Sequence, residues 1–148
     1  MMYSFIPIVE EILEQNQIIY TDMQDIEHIT INSNEIMFDP GFGADNKMLD
    51  IYVDDVHHIL FIGLLRLPKQ HRGQSVGTQI VDQIKDWADR HGYTVFLDSC
   101  GDSLNFWSKC GFRHIEHQYG FDIMGFGCDP TMLKEKWKDG KKIFTETH

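Results

Sequence analysis

Apolar side chains recur every three or four positions after residue 75, which is the spacing of one face of a helix. They are Val76, Ile80, Val81, Ile84, Trp87 and Ala88. Gly92 follows the last of them, and a glycine at this place is the usual left-handed end of a helix. The pattern therefore predicts an amphipathic helix that begins near Val76 and ends at Gly92.

Mostly apolar runs flank this helix at residues 57–67 and 94–97. Short runs of this kind, bounded by turn residues, favour buried strands. A strand, a helix and a second strand of this length form a βαβ unit, whose two strands pair in parallel. The segment 57–97 is therefore expected to form the centre of an α/β fold.

The same patterns predict further elements on both sides of this unit. Helices are predicted at residues 5–16 and 131–138, the second followed by a polar tail. Strands are predicted at 18–20, 48–53, 113–118 and 121–126, with 48–53 antiparallel to 57–67. Residues 22–28 are predicted to form a short helical turn, 29–38 two short strands turning at 32–34, and 39–43 a loop. No repeat or linker divides the chain, so one α/β domain over 1–148 is expected.

Composition and charge limit the partners of this domain. The 148 residues are 42% apolar and 24% charged, which is ordinary for a globular protein. The net charge is -10, and residues 1–58 hold twelve acidic side chains against the single Lys47. This argues against nucleic acid and favours a cationic small molecule or basic peptide, although acidity that only aids solubility is the alternative.

The sequence predicts a cytoplasmic protein that is not held in a membrane. It has no run of 18 apolar residues, and its first residues lack the basic stretch of a signal peptide. Its three cysteines, Cys100, Cys110 and Cys128, form no disulfide-like framework. No metal is expected, because His114 and His117 on a strand at 113–118 would point to opposite faces.

The predicted helix begins directly after a segment that suits an anion. The first N–H groups of a helix lack intrahelical partners and carry partial positive charge, so a pyrophosphate can bind there. Gly73 and Gly77 allow the backbone to approach such a ligand closely. Neither the Walker A pattern nor the dinucleotide G-x-G-x-x-G pattern is present. The segment therefore predicts a phosphate site of another type.

Two motifs resemble those of the GNAT N-acetyltransferase superfamily. Residues 72–77 resemble its acetyl-CoA signature, [RQ]-x-x-G-x-[GA], with Ser75 in the first glycine position and Pro68 four residues before the arginine. Residues 106–112 resemble the family's aromatic-Tyr-x-x-x-Gly-Phe segment, which ends a short helix and opens the next strand. The recognisable half spans 59–126, and 127–148 is a C-terminal appendage. The chain is identified as a divergent member.

The resemblance implies a mixed, twisted sheet flanked by helices, in which the strands ending near Leu67 and starting near Thr94 splay apart for the pantetheine arm. Backbone groups around Leu65 and Leu67 would bind this arm, and N–H groups of residues 73–78 the pyrophosphate. The implied acetyl-CoA-binding residues are Leu65, Leu67, Arg72, Gly73, Gln74, Ser75, Val76, Gly77, Thr78, Phe106 and Trp107. A homodimer is common for this fold and stays an open alternative.

The implied reaction is direct transfer of an acetyl group to a primary amine of a small molecule or protein. The amine must lose a proton before it attacks, so a base or a water relay is needed. A strand N–H near Leu65 would stabilise the oxyanion, and a proton donor would assist the departing thiolate.

The sequence departs from the family at the expected acid and base. Trp107 stands where many relatives carry a tyrosine acid, and its indole N–H cannot give up a proton. Phe61 and Gly63 stand where relatives often carry a glutamate or histidine base. The candidates for these roles are Asp98, His58 and Ser108, and beyond them His57, Asp50, Asp54, Glu35 and Cys110.

Two interpretations therefore remain open, a working N-acetyltransferase and a catalytically inactive binding or regulatory module that keeps the fold and binds CoA. Ser75 is expected to weaken the phosphate site little, provided that its φ is negative.

Overall fold

In its computed structural model, the chain folds into a mixed sheet flanked by helices. The structure describes residues 3–25, 27–36, 46–73, 75–101 and 103–147. The helices are α1 Phe5–Gln15, α2 Val76–His91, α3 Ser103–Lys109 and α4 Pro130–Thr147. The strands are β1 Thr21–Gln24, β2 His28–Asn32, β3 Lys47–Asp54, β4 Ile59–Leu65, β5 Thr94–Ser99, β6 Arg113–Gln118 and β7 Phe121–Phe126. This confirms the predicted α/β class.

The predicted βαβ unit lies at the centre of the sheet. The strand order is β1-β2-β3-β4-β5-β7-β6, and β4 pairs in parallel with β5 while the other neighbours pair antiparallel. The helix α2 connects the two central strands and ends at Gly92, whose φ is 73°. Both the parallel pairing and the left-handed helix end are confirmed.

The central strands separate after a short paired stretch. Their parallel register runs from Ile59 opposite Thr94 to Ile62 opposite Leu97, although β4 and β5 both continue beyond it. The register of β3 and β4 shifts at the same place, which makes Gly63 an extra residue of β4. Such a bulge bends a strand and increases its twist. The strands thus form the splay that the family resemblance implied.

Alternation along β4 divides the core between the two faces of the sheet. Leu60 and Ile62 belong to the apolar cluster that α1 and α2 cover. Phe61 faces the other side and packs with Trp137 and Phe144 of α4. Complete burial of one such side chain stabilises a fold by about 1.5–3 kcal/mol. Both helical layers therefore hold the central strand in place.

Three predictions near the N-terminus are wrong. Residues 18–20 do not form a strand, and 22–28 do not form a helical turn, because β1 occupies Thr21–Gln24. All four residues of β1 are exposed, so their sequence shows no alternation, and pairing with β2 defines the strand. In place of two strands, 29–38 holds the rest of β2 and a 3-10 turn at Asn34–Ile36. Residues 37–38 and the predicted loop at 39–43 lie outside the described residues.

The polar tail predicted after residue 138 is also wrong, because α4 continues to Thr147. Its buried residues are Leu133, Trp137, Gly140 and Phe144, which follow one another at three- and four-residue steps. The strands predicted at 113–118 and 121–126 are confirmed.

Candidate active site

A groove of about 420 Å³ lies between the splayed end of β4 and the start of α2. It is lined by Leu65, Arg66, Leu67, Arg72, Gly73, Ser75, Gly77, Thr78, Ser103, Phe106 and Trp107. Of the residues that the sequence predicted for acetyl-CoA, Val76 does not line the groove, and Gln74 lies outside the described residues. The structure brings the others together.

The start of α2 presents backbone N–H groups to this groove. The N–H of Gln79 donates the helix's first hydrogen bond, to the carbonyl of Ser75 at 3.0 Å. The N–H groups of residues 76–78 precede that bond and lie at the positive end of the helix dipole. The side chain of Val76 is buried in the core, so only its backbone can contact a ligand. This geometry fits an anion.

Ser75 has a left-handed backbone, with φ of 63°. We expected serine to replace glycine at little cost only if its φ were negative. The positive φ of Ser75 does not meet this condition. A left-handed conformation costs a residue with a Cβ about 1–2 kcal/mol. Gly73, with φ of 80°, carries no such penalty.

Two arginines bring positive charge to the groove of an acidic chain. The Nε of Arg66 donates to the carbonyl of Lys47 at 2.8 Å, and the Nε of Arg72 donates to the carbonyl of Leu67 at 3.0 Å. Both guanidinium groups are thus fixed by backbone oxygens. Fixed guanidinium groups beside free N–H groups suit a pyrophosphate. Sequence reasoning missed Arg66 because it lies outside the acetyl-CoA signature.

Aromatic side chains line the groove on its α3 side. Trp107 is buried and makes edge-to-face contacts with Phe106 and Phe112, at 5.0 and 5.4 Å between ring centroids. A Cβ on Gly77 would lie in van der Waals contact with Phe106, 3.4 Å from its Cζ, so a side chain larger than alanine would meet this ring. Ser103, which the sequence did not indicate, shares a 2.7 Å hydrogen bond with Ser99.

The three catalytic candidates lie in different parts of the molecule. Asp98 is half-buried on β5, directly after the last parallel pair with β4. Ser108 is exposed on α3 and does not line the groove. His58 lies in the turn before β4 and stacks on Tyr93. Because Leu65 is at the other end of β4, the length of this strand places the two residues roughly 20 Å apart. Only Asp98 is therefore placed beside the splay.

A polar cluster that the sequence analysis did not predict lies on β2 and β3. The Nε2 atom of His28 is 2.5 Å from Oδ1 of Asp50, and the hydroxyl of Thr30 donates to the same oxygen at 3.0 Å. Asp50 is only 6% exposed. The ring of Tyr52 stacks on His28, with 4.3 Å between centroids and 7° between planes. We call these four residues the β2–β3 cluster.

Charge links the β2–β3 cluster to Asp98 across β4. The pKa of Tyr52 is raised, first by burial, then by the charge and hydrogen bond of Asp50, and finally by the charge of Asp98. Both carboxylates therefore act on the same phenol. The sequence did offer one signal, since Asp50 interrupts an apolar strand. His28 offered none, because it joins Asp50 only through the strand register, 22 positions away.

The expectation that His114 and His117 face opposite sides is wrong. Their Nε2 and Nδ1 atoms lie 2.8 and 3.2 Å from the same oxygen of Asp122. The register of β6 and β7 shifts between His114 and Glu116, so Ile115 is an extra residue that resets the alternation. No group of three or more residues suited to a metal ion is found within the described ranges.

Comparisons with known proteins show a family resemblance over part of the chain. Residues 47–112 match the model of the acetyltransferase (GNAT) family. In this segment the chain resembles the GNAT family, and it has the GNAT acyltransferase fold. The chain matches no curated protein. Nor does it contain, in the residues that the structure describes, a helix long and apolar enough to span a membrane.

Solved structures show the same fold at low identity. Tetrahymena GCN5 has a TM-score of 0.51 and 13% identity, with 72% of this chain and 71% of that one covered. PaiA N-acetyltransferase from Thermoplasma acidophilum, in complex with coenzyme A, has a TM-score of 0.51 and 12% identity, with 80% and 67% covered. Identities this low agree with the departures of this chain from the family's motifs.

Proposed function

We propose that this protein transfers an acetyl group from acetyl-CoA to a primary amine, which attacks the thioester directly. The groove carries the proposal, because it offers an anion site at the start of α2 and open strand edges where β4 leaves β5. The family resemblance and the coenzyme A in the Thermoplasma structure support the same co-substrate.

The residues of the groove fit acetyl-CoA, which supplies the acetyl thioester. The N–H groups at the start of α2, with Arg72 and Gly73, would hold the pyrophosphate. Backbone groups near Leu65 and Leu67 would hold the pantetheine arm, and an N–H near Leu65 would stabilise the oxyanion. Ser75 and Thr78, with Phe106 and Trp107, would line the bound molecule.

The acceptor we propose is cationic, a small molecule or a protein amine. The chain carries a net charge of -10. Asp98 lies half-buried beside the splay, where the amine would meet the thioester. Of the three catalytic candidates we keep Asp98, as a group that orients the amine. His58 and Ser108 lie outside the groove.

We also propose that the protein acts in the cytoplasm. Cys100, Cys110 and Cys128 are free thiols in the structure. Cys100 is exposed, and an exposed thiol persists in a reducing compartment.

The second candidate function is an inactive module that binds CoA without turnover. Two observations favour it. Trp107 is buried at the position of the usual tyrosine acid, and β4 offers only Phe61 and Gly63 where a base is usual. Positioning alone contributes much of the rate of such a transfer, so these losses do not exclude activity.

Calorimetric titration tests acetyl-CoA binding, with CoA and ATP as comparison ligands. We expect micromolar affinity for acetyl-CoA and none for ATP. The double variant Arg72→Ala with Gly77→Val should weaken acetyl-CoA binding at least tenfold, because it removes a fixed cation and fills the space beside Phe106. Lys141→Ala on the exposed side of α4 is the control. Wild-type affinity in the double variant would refute the assignment.

An assay with a panel of amines, in which the release of the CoA thiol from acetyl-CoA is measured, separates the two functions. Release that depends on an amine identifies the enzyme. Binding of acetyl-CoA without release from any amine identifies the inactive module.

A further inference from the structure

We propose that His28 is the base that takes the proton from the acceptor amine, and that Asp50 positions its ring. This inference rests on the transferase function proposed above and names the residue that replaces the base missing from β4. It makes His28 a catalytic residue and Asp50 a positioning residue.

The contacts of Asp50 set the tautomer of His28. A carboxylate only accepts hydrogen bonds, so the His28 nitrogen that lies 2.5 Å from Asp50, Nε2, carries the proton. The lone pair of the neutral ring is then on Nδ1. In the described part of the chain, the contacts of this ring run through Nε2 and through its stacked face, which leaves Nδ1 for a solvent or substrate proton.

The surroundings hold the ring while leaving it accessible. Stacking on Tyr52 and the hydrogen bond with Asp50 fix its plane and its rotation. The side chain of His28 is still 35% exposed, against 8% for that of Asp50. A buried carboxylate that orients an accessible imidazole is the arrangement by which histidine acts as a general base.

Strand pairing connects His28 to β4, the strand that leaves β5 at the splay, through Tyr52. His28 is paired with Tyr52 across β2 and β3, and Tyr52 with Phe61 across β3 and β4. Two strand spacings place the β2 backbone about 10 Å from that of β4. We place the acceptor amine at the edge of the Tyr52 ring, where one bridging water would join it to Nδ1 of His28, a path that general bases commonly use.

The proposed step balances as follows. An ammonium group gives one proton, through the water, to Nδ1 of His28. The neutral amine then attacks the thioester carbonyl, the N–C bond forms and the C–S bond breaks. The second amine proton goes to the departing sulfur, and His28 returns its proton to solvent. The products are an amide and a thiol.

Among the described residues, the titratable groups that face His28 are Asp50 and Tyr52 of β3, and Thr30 of its own strand completes the cluster. Asp98 acts on Tyr52 from β5. These contacts could also serve only to hold β2 on β3. The test therefore needs readouts that a purely structural role would not change.

Two variants of His28 and one of Asp50 supply these readouts. His28→Phe keeps a ring for stacking on Tyr52 but has no base, and His28→Gln keeps polarity. We expect both to bind acetyl-CoA with wild-type affinity while kcat/KM at pH 7 falls about 100-fold, since general base catalysis contributes about 10²–10⁴-fold. The rate should recover at high pH, where the amine loses its proton unaided. Asp50→Asn should give an intermediate loss.

The control is His117→Gln, which changes an exposed histidine that is bonded to Asp122 between β6 and β7. We expect its kcat/KM and pH profile to equal those of the wild type. Circular dichroism and the midpoint of thermal unfolding identify any variant that fails to fold.

A measurement without acetyl-CoA tests the dyad itself. For the neutral form of the ring, nitrogen chemical shifts of His28 should place the proton on Nε2. A ring protonated on Nδ1 would overturn the proposal, as would a His28→Phe variant with wild-type kcat/KM and an unchanged acidic limb. If the wild-type protein acetylates no amine, the transferase function fails, and the role of His28 fails with it.

Discussion

Tyr52 lies against the one residue of β4 that has no side chain: a Cβ built on Gly63 would be 3.3 Å from Cε2 of Tyr52. Gly63 is also the extra residue of the bulge at which β4 leaves β5. The glycine therefore serves two purposes, since it bends the strand and admits an aromatic ring beside the splay.

Gly63→Ala should displace Tyr52 and, with it, the ring of His28. We expect kcat/KM to fall about tenfold, because small displacements of catalytic groups lower rates strongly. The affinity for acetyl-CoA should stay within threefold of the wild type, since Gly63 does not line the groove. Weakened acetyl-CoA binding with an unchanged kcat would contradict this account.

Ser75→Gly should stabilise the protein by roughly 0.5–1 kcal/mol, because it relieves a left-handed residue. Urea unfolding measures the change. Gln17→Gly is a matched control, since Gln17 has φ of 60° at the end of α1, outside the groove. A gain at Gln17 with a loss at Ser75 would mean that the 3.3 Å hydrogen bond between Ser75 and Gln79 outweighs the strain.

Gly140→Ala should destabilise the fold by about 1–2 kcal/mol. Alanine favours a helix by about 1 kcal/mol over glycine, but overpacking a core costs about 1–3 kcal/mol. The added Cβ would lie 2.9 Å from Cδ2 of Phe96 and from Cε3 of Trp137, so overpacking should prevail. Chemical denaturation gives the difference, with Lys141→Ala as the control at the exposed next position. A more stable Gly140→Ala variant would show that these rings can move.

Asp122 should titrate below the ordinary range of aspartate. Hydrogen bonds from His114 and then from His117 lower its pKa, and burial opposes them. A lowered pKa contributes stability that is present above the unfolded value and is lost as pH falls through the folded value. Carboxyl carbon shifts measured against pH report the titration directly.

His114→Ala should raise the pKa of Asp122 more than His117→Ala does, because His114 makes the shorter contact. Equal pKa values in the wild type and in both variants would contradict the shared carboxylate.

The sequence predicts this fold best where burial imposes a pattern. The helix α2 has six buried side chains on one face, and its bounds follow from them. The strand β1 is exposed throughout, so nothing in its own residues distinguishes it from a turn. Only its hydrogen bonds with β2 define it, and those depend on residues that lie elsewhere in the chain.

The candidate site divides in the same way. The groove that we propose for acetyl-CoA is built largely from residues 65–78, so a local motif predicts it. The pair of His28 and Asp50 depends on a register between two strands. His114 and His117 share Asp122 because of a bulge at Ile115 that no local pattern indicates. Both of these histidine arrangements depend on the register between paired strands.

The short parallel register between β4 and β5 has a consequence for the whole chain. Four residue pairs, from Ile59 with Thr94 to Ile62 with Leu97, join a four-stranded antiparallel half to a three-stranded one. A molecule that bonds to the strand edges beyond Leu97 would complete a ladder that the polypeptide leaves short. Its binding energy would then couple the unfolding of one half to the unfolding of the other. The cooperativity of unfolding would rise with the concentration of this ligand.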